Sequence, residues 1–207
     1  MAAPTGARSA RKHAAIMDAA TAAFLETGYR GTSMDEIAAR AGVSKQTIYK
    51  HFTDKEGLFS ALVVAAVESV NERVEAAGRP AAGEYDDVER AVRELARELM
   101  RAILAPELLA LRRLVIAEAA RFPELGGHYF ERGFVRGLAT LQSGLERLAE
   151  RGLLRLEDPK VAATQLAGMA LWTPANQAMF TTEAPPPDEL ERAAGAAART
   201  FVAAYGS

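Results

Sequence analysis

The chain has 207 residues, 49% hydrophobic and 25% charged, with a formal net charge of −2 and no cysteine. That length carries one well-buried core, or a small domain joined to a larger one. The missing cysteine excludes disulfides, thiolate metal sites and a cysteine nucleophile.

Abundant alanine and sparse strand formers predict an all-α fold. The opening stretch M-A-A-P-T-G-A-R-S-A-R-K-H is positive but lacks the apolar segment of a secretory signal. The longest apolar run, Ala61 to Val67, is too short to cross a bilayer. These features lead to the expectation of a soluble, cytoplasmic protein with no membrane partner.

The first helix is predicted from about Arg11 to Thr27, where Ile16, Ala20, Ala23 and Phe24 recur on one side. Gly28 follows as a C′ residue suited to the left-handed region, and Gly31 keeps the turn short. Ser33 with Glu36 makes a capping box for a brief second helix, which Gly42 stops. Asp35 and Glu36 suit the positive end of its dipole. Ser44 caps a third helix from Lys45 to about His51. Thr53 with Glu56 makes another capping box, and a long fourth helix begins near Lys55 and continues to about Ala76.

Gly78, Arg79, Pro80 and Gly83 read as a linker. Beyond it five more helices are expected, at roughly 86–104, 107–121, 124–151, 160–181 and 188–204, punctuated by prolines. Pro174 lies inside an apolar pattern and should kink or break its helix. The expected architecture is about nine helices. A three-helix N-terminal head, residues 1–57, carries a helix-turn-helix. A larger helical domain, residues 58–207, binds a ligand and dimerises.

Charge is unevenly divided. Residues 1–57 hold eight basic and six acidic side chains, or +2, and the remainder holds 17 against 21, or −4. A basic head points to a polyanion partner. Within it, Ile37, Ala38, Ala41 and Val43 are expected to face inward from the second helix and its turn, and Ile48 and Phe52 from the third. Two short helices joined by a glycine turn with this inner pattern make a helix-turn-helix, whose second helix fits the DNA major groove.

The outer side of the third helix carries Lys45, Gln46, Thr47, Tyr49, Lys50 and His51, with no carboxylate among them. Lys45 and Lys50 supply charge for phosphates. Gln46 and Thr47 are placed to reach base edges. Tyr49 and His51 can donate to phosphate oxygens and fix register. Lys55 adds its charge to the free N–H groups that open the fourth helix, a phosphate site.

The segment from about Arg11 to Leu62, with the order G-Y-x-x-T-S-x-x-x-I-A-x-x-A-G-V-S-x-x-x-I-Y-x-H-F-x-x-K-E-x-L within it, resembles the DNA-binding domain of the tetracycline-repressor (TetR) family. The segment departs nowhere from that pattern. The resemblance implies that Lys45, Gln46, Thr47, Tyr49, Lys50 and His51 meet double-stranded DNA, and that Thr32 or Ser33, with Lys55, meets phosphate. Further on, R-L-V-I-A-E-A-A-R-F-P-E-L resembles a C-terminal domain found in a subset of the same family. The family's larger domain binds a small effector and forms a homodimer through its last two long helices. The final helix offers Leu190, Ala193, Ala194, Ala197, Ala198, Phe201 and Val202 along a broad stripe, either as that dimer seam or as cover for the monomer core.

Aromatic and thioether side chains of the middle helices are the candidate ligand lining: Met100, Phe122, Phe130, Phe134, Met169 and Trp172. No catalytic constellation is legible. His13, His51 and His128 share no metal spacing, and there is no phosphate loop or G-x-S-x-G. No cofactor and no metal are expected. The expected function is a ligand-responsive repressor that releases a pseudo-palindromic operator when a small, largely apolar effector binds. The competing expectation is a helical small-molecule-binding protein or enzyme whose head no longer reads DNA.

Overall fold

Helix follows helix in the computed structural model, which describes residues 5–81, 87–181 and 185–207. The elements are α1 (Thr5–Gly31), α2 (Met34–Arg40), α3 (Lys45–His51), α4 (Lys55–Ala81), α5 (Val88–Ile103), α6 (Pro106–Glu118), α7 (Pro123–Tyr129), a π-helical segment (Phe130–Val135), α8 (Arg136–Glu150), α9 (Pro159–Phe180) and α10 (Pro187–Tyr205). α7, the π segment and α8 run on without interruption, so the described residues form nine helices when Pro123–Glu150 is taken as one. The fold is all-α. Among the described residues an isolated bridge between Leu154 and Gly206 is the one β-type pairing, and no helix is long and apolar enough to cross a membrane.

Several ends differ from the sequence expectation, each for a local reason. α1 starts at Thr5 rather than Arg11. It breaks at Gly28, whose φ of 73° and ψ of 172° fall outside the left-handed helical region, in backbone space essentially reserved for glycine. The cap of α4 is Asp54, not Thr53. Asp54 Oδ1 accepts from the Gly57 N–H at 2.7 Å and its carbonyl from the Leu58 N–H at 3.1 Å. α4 then passes through Gly78, Arg79 and Pro80 to Ala81, so these expected linker residues belong to its last turn. Gly83 lies outside the described residues. α9 continues through Pro174, which is buried. Two residues on, the Asn176 side-chain amide donates to the Trp172 carbonyl at 2.7 Å.

The chain divides into two compact units: Met1–Ala66 with Ala110–Gly127, and Val67–Leu109 with His128–Ser207. The first buries Ile16, Ala20, Ala23 and Phe24 of α1 with Ile37, Ile48, Leu58 and Phe59. Its rings interlock: Phe24 lies 5.1 Å and Tyr29 5.0 Å from Phe59, centroid to centroid.

The second unit is built on α5, α8, α9 and α10. Ala91, Val92, Leu95, Ala96 and Leu99 make one inward face of α5, and meet Leu141, Leu145 and Leu148, Ala163, Leu166 and Ala170, and Ala194, Ala198 and Phe201. Small residues let the helices approach closely. At Gly144 a methyl group would stand 2.8 Å from Leu95 Cδ2. The final-helix stripe therefore covers the monomer core: Ala194, Ala197, Ala198 and Phe201 are buried there, with Leu190, Ala193 and Val202 packed against them.

Candidate nucleic-acid interface

α2 begins where Ser33 Oγ accepts the Glu36 N–H at 3.1 Å. The Glu36 carboxylate turns instead to Arg40, at 2.7 Å. α2 ends in a Schellman motif. The Gly42 N–H donates to the Ala39 carbonyl and the Val43 N–H to the Ala38 carbonyl, while Gly42 takes a φ of 63° that suits glycine. Two residues later Ser44 caps α3, accepting from the Thr47 N–H at 3.2 Å. Ile37, Ala38, Ile48 and Phe52 are buried beneath the corner. α2, the Gly42 turn and α3 thus make a helix-turn-helix.

The side of α3 opposite Ile48 leaves Lys45, Gln46, Tyr49 and Lys50 exposed. Tyr49 keeps 46% of its surface accessible, a large aromatic side chain left outside the core. Thr47 is half-buried, its hydroxyl 2.9 Å from that of Ser44. His51 is half-buried too, and lies 5.7 Å from the ring of His13 in α1. His13 in turn stacks on Phe52 at 5.1 Å.

Carboxylates are nevertheless present beside this face, delivered by α2 and α1. Lys45 Nζ lies 2.8 Å from Asp35 Oδ1 and 3.0 Å from Oδ2. The hydrogen bond that Lys45 donates to Asp35 holds its ammonium above the usual lysine range. Arg40 closes on Glu26 and Glu36, each at 2.7 Å. Its guanidinium is likewise held above its ordinary value, chiefly by the Glu26 hydrogen bond.

Two residues expected to meet phosphate, Thr32 and Lys55, have neighbours within the protein. Thr32 is buried, 2% exposed. Its hydroxyl is within hydrogen-bonding distance of the Ala23 and Gly28 carbonyls and the Thr27 hydroxyl, at 3.1, 2.9 and 2.9 Å. That side chain ties the end of α1 to the start of α2, and only Ser33 of the pair is exposed. Lys55 lies over the Tyr29 ring, 4.4 Å from its centroid. Burial, then the neighbouring Arg121, lowers its pKa. Tyr29 also meets Phe122 edge-on at 5.0 Å. Nearby Glu118, which is nearly buried, faces Arg30 at 4.0 Å.

The six proposed ligand-lining residues do not share one environment. Met100 is buried in the core of the second unit, and Phe122 belongs to the first. Phe130 and Phe134 stack on each other at 5.3 Å, both about half exposed. Met169 and Trp172 point outward from α9, Trp172 with 74% of its surface accessible. The apolar character that marked these residues reflects core filling for Met100 and uncovered surface for the α9 pair.

Residues 16–62 match the bacterial regulatory proteins of the TetR family, and residues 90–207 match the C-terminal domain of AefR-like transcriptional repressors. The second match alone spans more than half of the chain. The chain belongs to the TetR family.

Similar solved structures span nearly the whole TetR fold. A TetR-family transcriptional regulator from Mesorhizobium loti MAFF303099 is 48% identical, covers 97% of this chain and 99% of its own, and has a TM-score of 0.90. The flavonoid-responsive regulator FrrA is 30% identical over 95% and 98% of the two chains, with a TM-score of 0.78. Among curated relatives, the HTH-type transcriptional regulator YezE of Bacillus subtilis is 29% identical over 72% of this chain and 76% of its own. The protein is a helix-turn-helix, DNA-binding transcriptional regulator of a family with many repressors.

Within this TetR head, sequence reasoning missed His13 and the reach of Asp35. Asp35 opens α2 and Lys45 opens α3. The glycine corner brings those two starts together, and that juxtaposition follows once the motif is recognised. Nothing in the periodicity of α1 marks His13, whose neighbours come from the far end of the motif.

Proposed function

We propose that this TetR-family protein is a cytoplasmic, homodimeric repressor. Two copies of α3 enter successive major grooves of a pseudo-palindromic operator, which the dimer releases when a small, largely apolar effector binds. Residues 1–57 read DNA and residues 58–207 bind the effector and dimerise. The observation that carries this reading is the exposed Gln46–Tyr49–Lys50 side of α3, set over a fully buried Ile48. Ser33, Lys45, Thr47 and His51 complete the contact surface. Gln46 reads a base edge, and Lys50, Tyr49 and His51 hold phosphates.

Similarity to a flavonoid-responsive regulator supports an effector of that general kind. Control requires that the effector prefer a state whose two heads are wrongly spaced for DNA. A coupling of about 1–3 kcal/mol is typical of such linkage, and α4, which leaves the head, is the element to carry it. The dimer uses α9 and α10. Support comes from Val161, Met169, Trp172 and Phe180, which stay exposed along α9.

The test is operator affinity of Lys50→Ala and Tyr49→Phe, with the dimer intact. Both should weaken binding, and Lys50→Ala should also flatten the salt dependence by about one ion. Unchanged binding in both variants removes α3 from the interface.

A further inference from the structure

The cations of α2 and α3 are not equally available. Arg40 is held between Glu26 and Glu36, Lys45 by both oxygens of Asp35, and Lys50 has no carboxylate partner among the described residues. The Asp35–Lys45 pair sits at the open end of the motif, with 66% and 59% of the two side chains exposed. It is therefore a surface pair, cheap to open, and its net charge is zero while closed.

Resting on the DNA-reading role above, we propose that Asp35 is a specificity-determining residue: it withholds the Lys45 ammonium from phosphates of arbitrary sequence and aims it along one direction beside Gln46. Binding to random duplex is driven by the number of phosphates neutralised and the counterions released. A closed pair adds nothing to that number. On a cognate duplex the base-edge contacts of its neighbours hold α3 in place, and Lys45 is presented to the groove in a fixed geometry. The carboxylate thus lowers non-cognate affinity more than cognate affinity, and the ratio of the two is what sets specificity.

The experiment uses the full chain, unmodified and as Asp35→Asn, Lys45→Ala and the double variant, with thermal unfolding to confirm each is folded. The probes are a random-sequence duplex of about 30 base pairs, a length of about three helical turns, and a sequence enriched from that pool by the unmodified protein. Binding is measured across a salt series. Asp35→Asn should bind the random duplex about threefold to tenfold tighter, with a log–log salt slope steeper by about one. Its affinity for the enriched sequence should change by less than about twofold, so the specificity ratio falls. In the Lys45→Ala background the Asp35 substitution should have little effect.

Equal gains on both probes would mean that charge acts without selectivity, and the same gain without Lys45 would mean that the pair is irrelevant. Either overturns the proposal. If the unmodified protein enriches a sequence and Asp35→Asn behaves identically, this inference fails while DNA reading stands. If the unmodified protein enriches nothing, the DNA-reading assignment itself falls and takes this inference with it.

Discussion

The Lys55 ammonium lies 4.4 Å above the centre of the Tyr29 ring. Burial raises the Tyr29 pKa above its ordinary value and lowers that of Lys55, so the two pull stability in opposite directions at alkaline pH. Tyr29 holds its proton more tightly when folded. Its contribution is fully present below about pH 10, the unfolded value, and is lost as pH rises through the folded value. Lys55 gives up its proton more readily when folded. Its cost is present while it is charged, and is relieved as pH climbs through the folded value towards about 10.4. Tyr29→Phe should therefore lessen the loss of stability above about pH 10. Urea unfolding across that range, with tyrosine ionisation followed by absorbance, checks the sign. Parallel profiles for the variant and the parent would mean that Tyr29 titrates normally.

Thr32 is expected to act through folding rather than phosphate. Thr32→Val keeps the shape but deprives the Gly28 carbonyl of its hydroxyl donor, while the Ala23 carbonyl keeps the Thr27 hydroxyl at 3.1 Å. Leaving a buried acceptor unpaired costs about 1–3 kcal/mol, while Thr32→Ser should lose less. Denaturant midpoints measure the loss. A salt slope of DNA binding that flattens in Thr32→Val would restore the phosphate role.

The start of α4 offers a paired comparison. Asp54→Ala should cost about 1 kcal/mol, the usual worth of a lost N-cap, because Asp54 accepts the Gly57 N–H. Thr53→Ala should leave the unfolding midpoint nearly unmoved. The reverse ranking would return the cap to Thr53.

The two capping assignments show what the sequence carries and where it stops. S-M-D-E places its cap at Ser33, where the structure has it, whereas in T-D-K-E the cap falls one residue later, at Asp54, and only the path of the chain decides which residue serves. Helix count, the glycine corner and the inward set Ile37, Ala38, Ile48 and Phe52 were legible because each rests on contacts within a few turns of chain. Lys55 and His13 were not, because their neighbours Tyr29, His51 and Phe52 are far away in the chain, whereas Thr32 turns back on Ala23, Thr27 and Gly28 just before it. In the larger unit the apolar stripe of α10 looked the same whether it faced its own core or a second copy, and burial in the fold assigned it to the core. Composition alone equally could not separate Met100, inside that core, from Trp172, outside it.

The exposed side of α9 gives the dimer proposal its sharpest handle. Trp172 projects from the helix with little of its surface covered, so Trp172→Glu should spare the monomer fold. It should also raise the dimer dissociation constant by at least about tenfold, in line with a central aromatic anchor worth about 2 kcal/mol or more. Sedimentation equilibrium gives the mass directly. A variant that stays as dimeric as the parent would move the seam off α9.

Selection from random-sequence duplexes, with sequencing of what the full-length protein retains, tests the DNA-reading assignment most directly. An inverted repeat should emerge, its half-sites spaced to meet two α3 helices on one side of the duplex, and Gln46→Ala should relax the preference at one position in each half. Retention of DNA with no enriched sequence, or enrichment that Gln46, Tyr49 and Lys50 substitutions all leave untouched, would contradict it.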